Sequence, residues 1–366
     1  MGRGLGPLEG LEVVVVKDKV VRDKVIKKVV SQYKTYRPLA ATKNILYNFQ
    51  TRERKKSFGN LYPEKTFYII RPIDNNSPFY IGVGNNLLAN YFYVVSHLKY
   101  AQDKGLTPVV DHKNYPVYNS ICGEIDGVDN PWEYFWEQPS RHTLEEAYAA
   151  QNVILSKRSW FWEWDLGYDA ENYTDKKLIR FYHQLTECIP LKAPIVHHID
   201  TVRKQLFDPK EKVLGVSFRY GGHSKESSVH GPGHPISPEV DTLIEHVAKK
   251  CSDWGMDRIF FASDEESAVE DFRGFFGDRL ICLDRERRRK EDLKAMFCPK
   301  NFYETTLSYL TEMELLAGCA GIIGSITSGF RYAVVRSNNS CKYIEAVDSG
   351  RFPDVRKYEY DNSGCR

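Results

Sequence analysis

VLGVSFRY (213–220), RIFFASD (258–264), RLICLD (279–284), AGIIGS (320–325) and CKYIEAV (341–347) are short apolar runs rich in β-branched and aromatic residues, and segments with helical spacing separate them. The spacing predicts helices over Ser237–Lys250, Glu266–Phe276, Glu304–Cys319 and Phe330–Asn338. Strands buried on both faces read as near-continuous apolar runs, and strand–helix alternation of this kind defines a doubly wound parallel α/β sheet. In such a sheet ligands bind beyond the carboxyl ends of the strands, so the residues that follow each run are the candidates for chemistry.

After the first run comes Arg219, whose guanidinium suits a phosphate because it pairs bidentately and stays charged; a structural ion pair explains an arginine there equally well. After the second run, Asp264 and Glu265 precede a helix, where a carboxylate cap on the helix N-terminus is the simpler reading. After the fourth, GSITSGFRY places Ser325, Thr327, Ser328 and Gly329 before a helix with Arg331 in its first turn. A plain cap uses one such hydroxyl. Three of them with a glycine point to an anion held by hydroxyls and helix-terminal N–H groups.

Towards the N-terminus the alternation continues. TFYIIRP (66–72) is strand-like, SPFYIGVGNN (77–86) is a glycine-rich turn, residues 87–105 carry a helical face through Leu88, Tyr91, Phe92, Val95 and Leu98, and TPVVD (107–111) is a short strand, which together make one βαβ unit. Gly82, Gly84 and Asn85 form its strand-to-helix turn, where glycines allow close approach of a ligand. No third glycine completes a dinucleotide fingerprint, which disfavours NAD chemistry. Residues 112–200, with NPWEYFWEQPS and RSWFWEWD, lack regular patterning and read as loops and short helices that complete this domain, with Pro194–Pro209 as the connection to the next. The expected organisation is a basic extension over 1–60, an N-terminal α/β domain over 61–200 and a C-terminal Rossmann-like domain over 201–366. Within the extension, residues 13–35 carry a valine-rich, lysine-backed segment that is either a membrane-surface or partner-binding helix or an element packed on the body. The charge run DRERRRKEDLK (284–294) reads as a solvated loop or helix face.

Composition narrows the class. The 366 residues are 42% hydrophobic and 27% charged, with 51 basic against 49 acidic side chains for a net charge of +2, which excludes wholesale disorder and disfavours a nucleic-acid binder held by net charge. No run approaches the ~20 apolar residues of a membrane span, and a cytoplasmic protein, with membrane association confined to the basic segment, is expected. The 8 cysteines show no Cys-x-x-Cys pair and read as reduced thiols.

The order of these pieces resembles the fucosyltransferase superfamily of GT-B-like glycosyltransferases, in particular the α-1,6-fucosyltransferases and more distantly the protein O-fucosyltransferases. The resemblance runs from about Thr66 to Asn338. It is carried by the Gly82–Asn85 turn, Trp132-Glu133-Tyr134-Phe135, Ser217-Phe218-Arg219 with His234-Pro235-Ile236 downstream, Ala262-Ser263-Asp264-Glu265, and EMELLAGCAGIIGSITSGFR. It implies two Rossmann-like domains facing a cleft and an inverting, metal-independent transfer of a sugar, fucose from GDP-fucose in first place, to a glycan hydroxyl. Arg219 would hold the β-phosphate, with Ser325, Thr327, Ser328, Gly329 and Arg331 around the diphosphate. Glu312 would accept from guanine, Asp264, Glu265 and His234 would line the nucleotide pocket, and Gly82, Val83, Gly84 and Asn85 would close over the donor.

The chain departs from the family pattern at Ser217, where the family has histidine, at Tyr220, and at Gly222, where it has aspartate. An inverting transfer needs a group that removes the acceptor's proton. Glu226 is the candidate, with His223 and His230 as rivals on the same loop. The departures keep open a catalytically inactive glycan-binding protein on the same fold, and a transferase that uses another nucleotide-sugar donor.

Overall fold

The computed structural model describes residues 51–73, 87–115, 117, 120, 122–219, 234–287, 302–338 and 340–352, which lie within one unit running from Thr51 to Glu359. Two sheets organise it. In the first, β1 (Arg54–Lys56), β4 (Ala150–Leu155), β2 (Leu61–Ile70) and β3 (Thr107–Val110) lie in the order β1-β4-β2-β3. Strand β2 runs parallel to both neighbours, and β1 pairs antiparallel with β4 so that Arg54 faces Leu155. The helix α1 (Leu87–Asp103) joins β2 to β3, as the βαβ pattern predicts. It is buried well beyond its predicted face, with Tyr93, Val94, Ser96 and His97 also inside, because helices cover it on the side away from the sheet.

Several elements differ from the sequence expectation. Strand β4 lies inside the segment read as irregular, and β1 lies inside the expected 1–60 extension. Two regular helices, α3 (Lys176–Thr186) and α4 (Ala193–Leu206), follow the short α2 (Leu144–Tyr148). The stretch expected to be a connection, Pro194–Pro209, is therefore mostly helix. Pro194 sits in the first turn, where the absent N–H breaks no helical bond. Asp175 caps α3 by accepting from the N–H groups of Lys177 and Leu178.

The second sheet follows the predicted alternation: β5 (Val213–Phe218), α5 (Val240–Asp253), β6 (Arg258–Ser263), α6 (Glu266–Phe276), β7 (Leu280–Ile281), α7 (Phe302–Ala317), β8 (Gly321–Gly324), α8 (Ser328–Arg336) and β9 (Tyr343–Ala346). All strands are parallel, in the order β7-β6-β5-β8-β9. The chain thus starts in the middle, winds outward to one edge, and returns to the middle to wind the other way. The reversal between β5 and β8 is a topological switch point, and it opens a crevice at the strands' carboxyl ends. Helix α7 lies tight on this sheet, since a Cβ at Gly215 would fall 2.5 Å from Leu316 Cδ1.

The two sheets share one core. Helix α8 packs on α7, α3 and α1, and the Tyr332 and Tyr91 rings meet at 4.9 Å. Trp132, Trp136, Tyr91 and Tyr332 are almost wholly excluded from solvent, so the aromatic residues 130–136 and those of α1 and α8 form a common interior. Each such ring contributes on the order of 2–3 kcal/mol by leaving water. No helix among the described residues is long and apolar enough to cross a membrane.

Candidate functional site at the switch point

Arg219 follows β5 directly and the Ser325–Thr327 turn follows β8, so both stand at the switch point. Ser237 joins them. Its hydroxyl donates to the Arg219 carbonyl at 2.6 Å and lies 3.3 Å from Ser325 Oγ. The sequence reading overlooked Ser237, although it stands next to the His234-Pro235-Ile236 element. That element pairs with residues 350–352, with Ile236 N–H donating to the Gly350 carbonyl and Phe352 N–H to that of His234.

The Arg219 guanidinium approaches Asp264, Nε to Oδ2 at 3.5 Å, and both side chains keep partial exposure, 25% and 19%. Arg219 Nε makes no hydrogen bond. A cation so loosely held can exchange its carboxylate for a ligand's phosphate. Tyr309 of α7 lies behind the pair; burial pushes its phenol up, and the positive charge of Arg219 pulls it partly back.

The turn after β8 is more committed to the protein than its composition suggests. Thr327 is the N-cap of α8 and accepts from Phe330 N–H at 3.3 Å. The Ser328 side chain shares a hydrogen bond with Tyr309. Gly329 serves helix packing, because a Cβ there would fall 2.7 Å from Met313 Sδ and 3.1 Å from the Tyr309 hydroxyl. Arg331 is buried, ion-paired with Asp165, and placed over the rings of Phe92 (4.6 Å) and Tyr168 (5.5 Å). Its charge is therefore already matched by a carboxylate. His234 lies beside the same Tyr168 ring, and burial first, then Arg331, pushes its pKa down.

The structure revises two readings. Glu265 occupies the N-cap position of α6, but its side chain caps nothing; its carboxylate takes the hydroxyl of Ser267 at 2.8 Å. The charge run from residue 284 is not uniformly solvated, since the Arg285 and Arg287 side chains are only 8% and 5% exposed. Arg285 Nη2 donates to Glu312 Oε2 at 2.7 Å and to the Ser263 carbonyl at 2.8 Å, while Arg287 lies 3.8 Å from Glu312 Oε1. Burial pushes the Glu312 carboxyl up, and the two guanidiniums oppose that push. Glu312 Oε1 and Arg285 Nε, both buried, make no hydrogen bond. A run of arginines gives no sign of which members turn inward; the buried carboxylate on α7 decides it.

Arg219, Asp264, Tyr309, Ser328 and Glu312 thus form one neighbourhood around the ends of β5 and β6, while Arg331 and His234 belong to a second, around Tyr168. Gly82, Val83, Gly84, Asn85, Glu226, His223 and His230 lie outside the described residues, as does the segment 13–35.

Among solved structures, the chain is similar to NodZ α-1,6-fucosyltransferase soaked with GDP-fucose (16% identity, 74% of this chain and 92% of that one, TM-score 0.40). It is also similar to fucosyltransferase NodZ from Bradyrhizobium (15%, 74% and 93%, 0.41) and to POFUT1 in complex with GDP (11%, 79% and 76%, 0.33). Matches this loose carry no residue across. No family model matches the chain, and no curated protein does.

Proposed function

We propose that the chain is a glycosyltransferase that binds a nucleoside-diphosphate sugar, GDP-fucose in first place, at the switch point and transfers the sugar to a glycan hydroxyl. The observation that carries this reading is the pairing of Arg219 with the Ser325–Thr327 turn across β5 and β8, tied together by Ser237. In the proposed complex Arg219 leaves Asp264 for the β-phosphate and stabilises the charge that grows on the departing diphosphate, a role that electrostatics can fill without a metal. Helix-terminal N–H groups of Ser328 and Gly329 take the other phosphate oxygens. Glu312 keeps Oε2 on Arg285 and offers Oε1 to the N1–H and N2–H₂ donors of guanine. Glu226 removes the acceptor's proton, Asp264 and Glu265 border the nucleotide, His234 serves from the neighbouring group around Tyr168, and Gly82, Val83, Gly84 and Asn85 contribute to donor binding. Inversion at the sugar carbon follows from a single displacement of this kind.

A thermal-shift titration with GDP, UDP, CDP and ADP tests the reading. A ligand present at about 100 times its dissociation constant raises stability by roughly 2.7 kcal/mol. A shift with GDP alone is the expected outcome; equal shifts with all four, or none, remove the guanine assignment.

A further inference from the structure

The hydrogen-bond ladder between β5 and β8 ends at the pair Ser217 and Gly324, where the strands lie so close that a Cβ at Gly324 would fall 2.6 Å from the Ser217 carbonyl oxygen. Past that pair the two chains part: one leaves through Arg219, and the other turns through Ser325 and Thr327 into α8. Their separation beyond the ladder sets the width of the crevice at the switch point, where a ligand of this fold would lie. The Ser237 side chain reaches both of them there, and it is buried, 3% exposed, as is Ser325 at 2%.

The count of protons gives this contact a direction. A serine hydroxyl has one proton to donate and two lone pairs that accept. Ser237 gives its proton to the Arg219 carbonyl at 2.6 Å, so the 3.3 Å contact runs from the Ser325 hydroxyl to Ser237 Oγ. Ser325 thus donates to Ser237, and Ser237 to the backbone of Arg219. The Ser325 proton is spent inside the protein, and a hydroxyl so committed has none left for a phosphate oxygen.

Ser237 is itself held from behind. Ile236 N–H donates to the Gly350 carbonyl and Phe352 N–H to that of His234, each at 2.9 Å. Gly350 adopts φ 95°, in the left-handed region that glycine enters without strain. Arg351 donates through Nη2 to the Tyr168 carbonyl. The residues just before Ser237 are therefore paired with a segment that is anchored in turn, so the hydroxyl is presented from a fixed place.

We propose that Ser237 is a positioning residue of the donor site: it sets the distance between Arg219 and the turn after β8 so that one diphosphate spans both, and Ser325 belongs to this clasp and not to the phosphate contacts. The role rests on the donor reading above. It predicts that loss of the clasp weakens ligands that need both sides of the crevice and spares those that need one.

The test titrates GDP and GMP into the full chain by isothermal titration calorimetry, since GMP lacks the β-phosphate given to Arg219. Ser237→Ala is expected to lose about tenfold in GDP affinity, the effect of one broken buried hydrogen bond, and to keep its GMP affinity. Ser237→Cys, close in size with a weaker donor, serves as a second variant that is expected to lose GDP affinity to a smaller extent. A melting curve of each variant checks that it folds. Ser325→Ala is expected to match Ser237→Ala, and the double variant to lose no more than either, as partners in one contact do. GDP affinity unchanged in both Ser237 variants, or GDP and GMP weakened alike, overturns the positioning role. Additive losses in the double variant return Ser325 to the phosphate and overturn the clasp. A wild-type chain that binds GDP while Ser237→Ala keeps the wild-type ratio of GDP to GMP affinity removes this role alone; a wild-type chain that binds neither nucleotide removes the donor reading and this role with it.

Discussion

Arg285 and Glu312 form a hydrogen-bonded ion pair at 2.7 Å with both side chains nearly excluded from water, 8% and 1% exposed. The pair fastens the chain after β7 to helix α7. Burial works against the Arg285 charge, but the Glu312 carboxylate outweighs it and holds the guanidinium above its ordinary pKa.

Breaking such a pair from one side leaves a buried charge unmatched, which costs about 3–5 kcal/mol, whereas apolar replacement of both partners is often close to neutral. Glu312→Leu is therefore expected to lower the unfolding free energy by about 3–5 kcal/mol, and Glu312→Leu with Arg285→Met to recover the part of that loss that belongs to Arg285, since Arg287, 3.8 Å from Glu312 Oε1, keeps its buried charge. Urea unfolding of the two single variants and the double variant measures the coupling; additive losses would show that the pair does not act as a unit. The double variant also separates folding from recognition, since it is expected to fold and yet lose its preference for GDP over ADP.

Arg219 contrasts with Arg285. Its contact with Asp264 is long and partly exposed, a geometry worth about 0–1 kcal/mol. Arg219→Ala is expected to leave the melting temperature within a few degrees of wild type while abolishing transfer and weakening GDP binding at least tenfold. Wild-type turnover in this variant removes the proposed phosphate role.

The order of strands and helices in the second sheet was legible because strands buried on both faces leave unbroken apolar runs, as in RIFFASD and AGIIGS, with amphipathic helices between them. β4 was hidden because its neighbours are a five-residue helix and an aromatic loop, too short and irregular to show a period. At the site, position relative to strand ends picked out Arg219 and the β8 turn. Whether a residue serves a ligand or the protein is a matter of three-dimensional partners. Gly329 meets Met313 from another helix, Arg331 meets Asp165 across the sequence, and Arg285 finds Glu312, and no local pattern encodes any of these.

Gly329 makes that distinction measurable. A methyl at this position meets Met313 Sδ at 2.7 Å, so Gly329→Ala forces α7 and α8 apart or drives Met313 from its place, a change that costs about 1–3 kcal/mol. Met313→Ala introduced with it provides the missing space and is expected to make the methyl tolerable, relative to Met313→Ala alone. Equal destabilisation by Gly329→Ala in both backgrounds would place the constraint on the Tyr309 hydroxyl, 3.1 Å from the same position, instead of the Met313 contact.

Two buried histidines contribute to the acid sensitivity of the fold. His97 accepts the Tyr68 hydroxyl at Nδ1 (2.8 Å) and lies 3.2 Å through Nε2 from the Ser159 carbonyl, so the neutral ring with its proton on Nε2 satisfies both contacts. His112 packs edge-on to Trp132, and its buried Nε2 makes no hydrogen bond. Burial holds both at about 3, against 6.5 for a free imidazole. The unfolded chain therefore takes up protons that the folded chain refuses. Their contribution is whole above pH 6.5 and is lost as pH falls from there towards 3, with a slope of about 1.4 kcal/mol per pH unit for each ring. His112→Leu removes one titration without stranding a partner, so it is expected to keep neutral-pH stability and to lessen the acid slope between pH 6 and 4 by about 1.4 kcal/mol per pH unit, the share of one ring. Urea midpoints across that range measure it, and an unchanged slope would mean that His112 is already accessible to protons in the folded state.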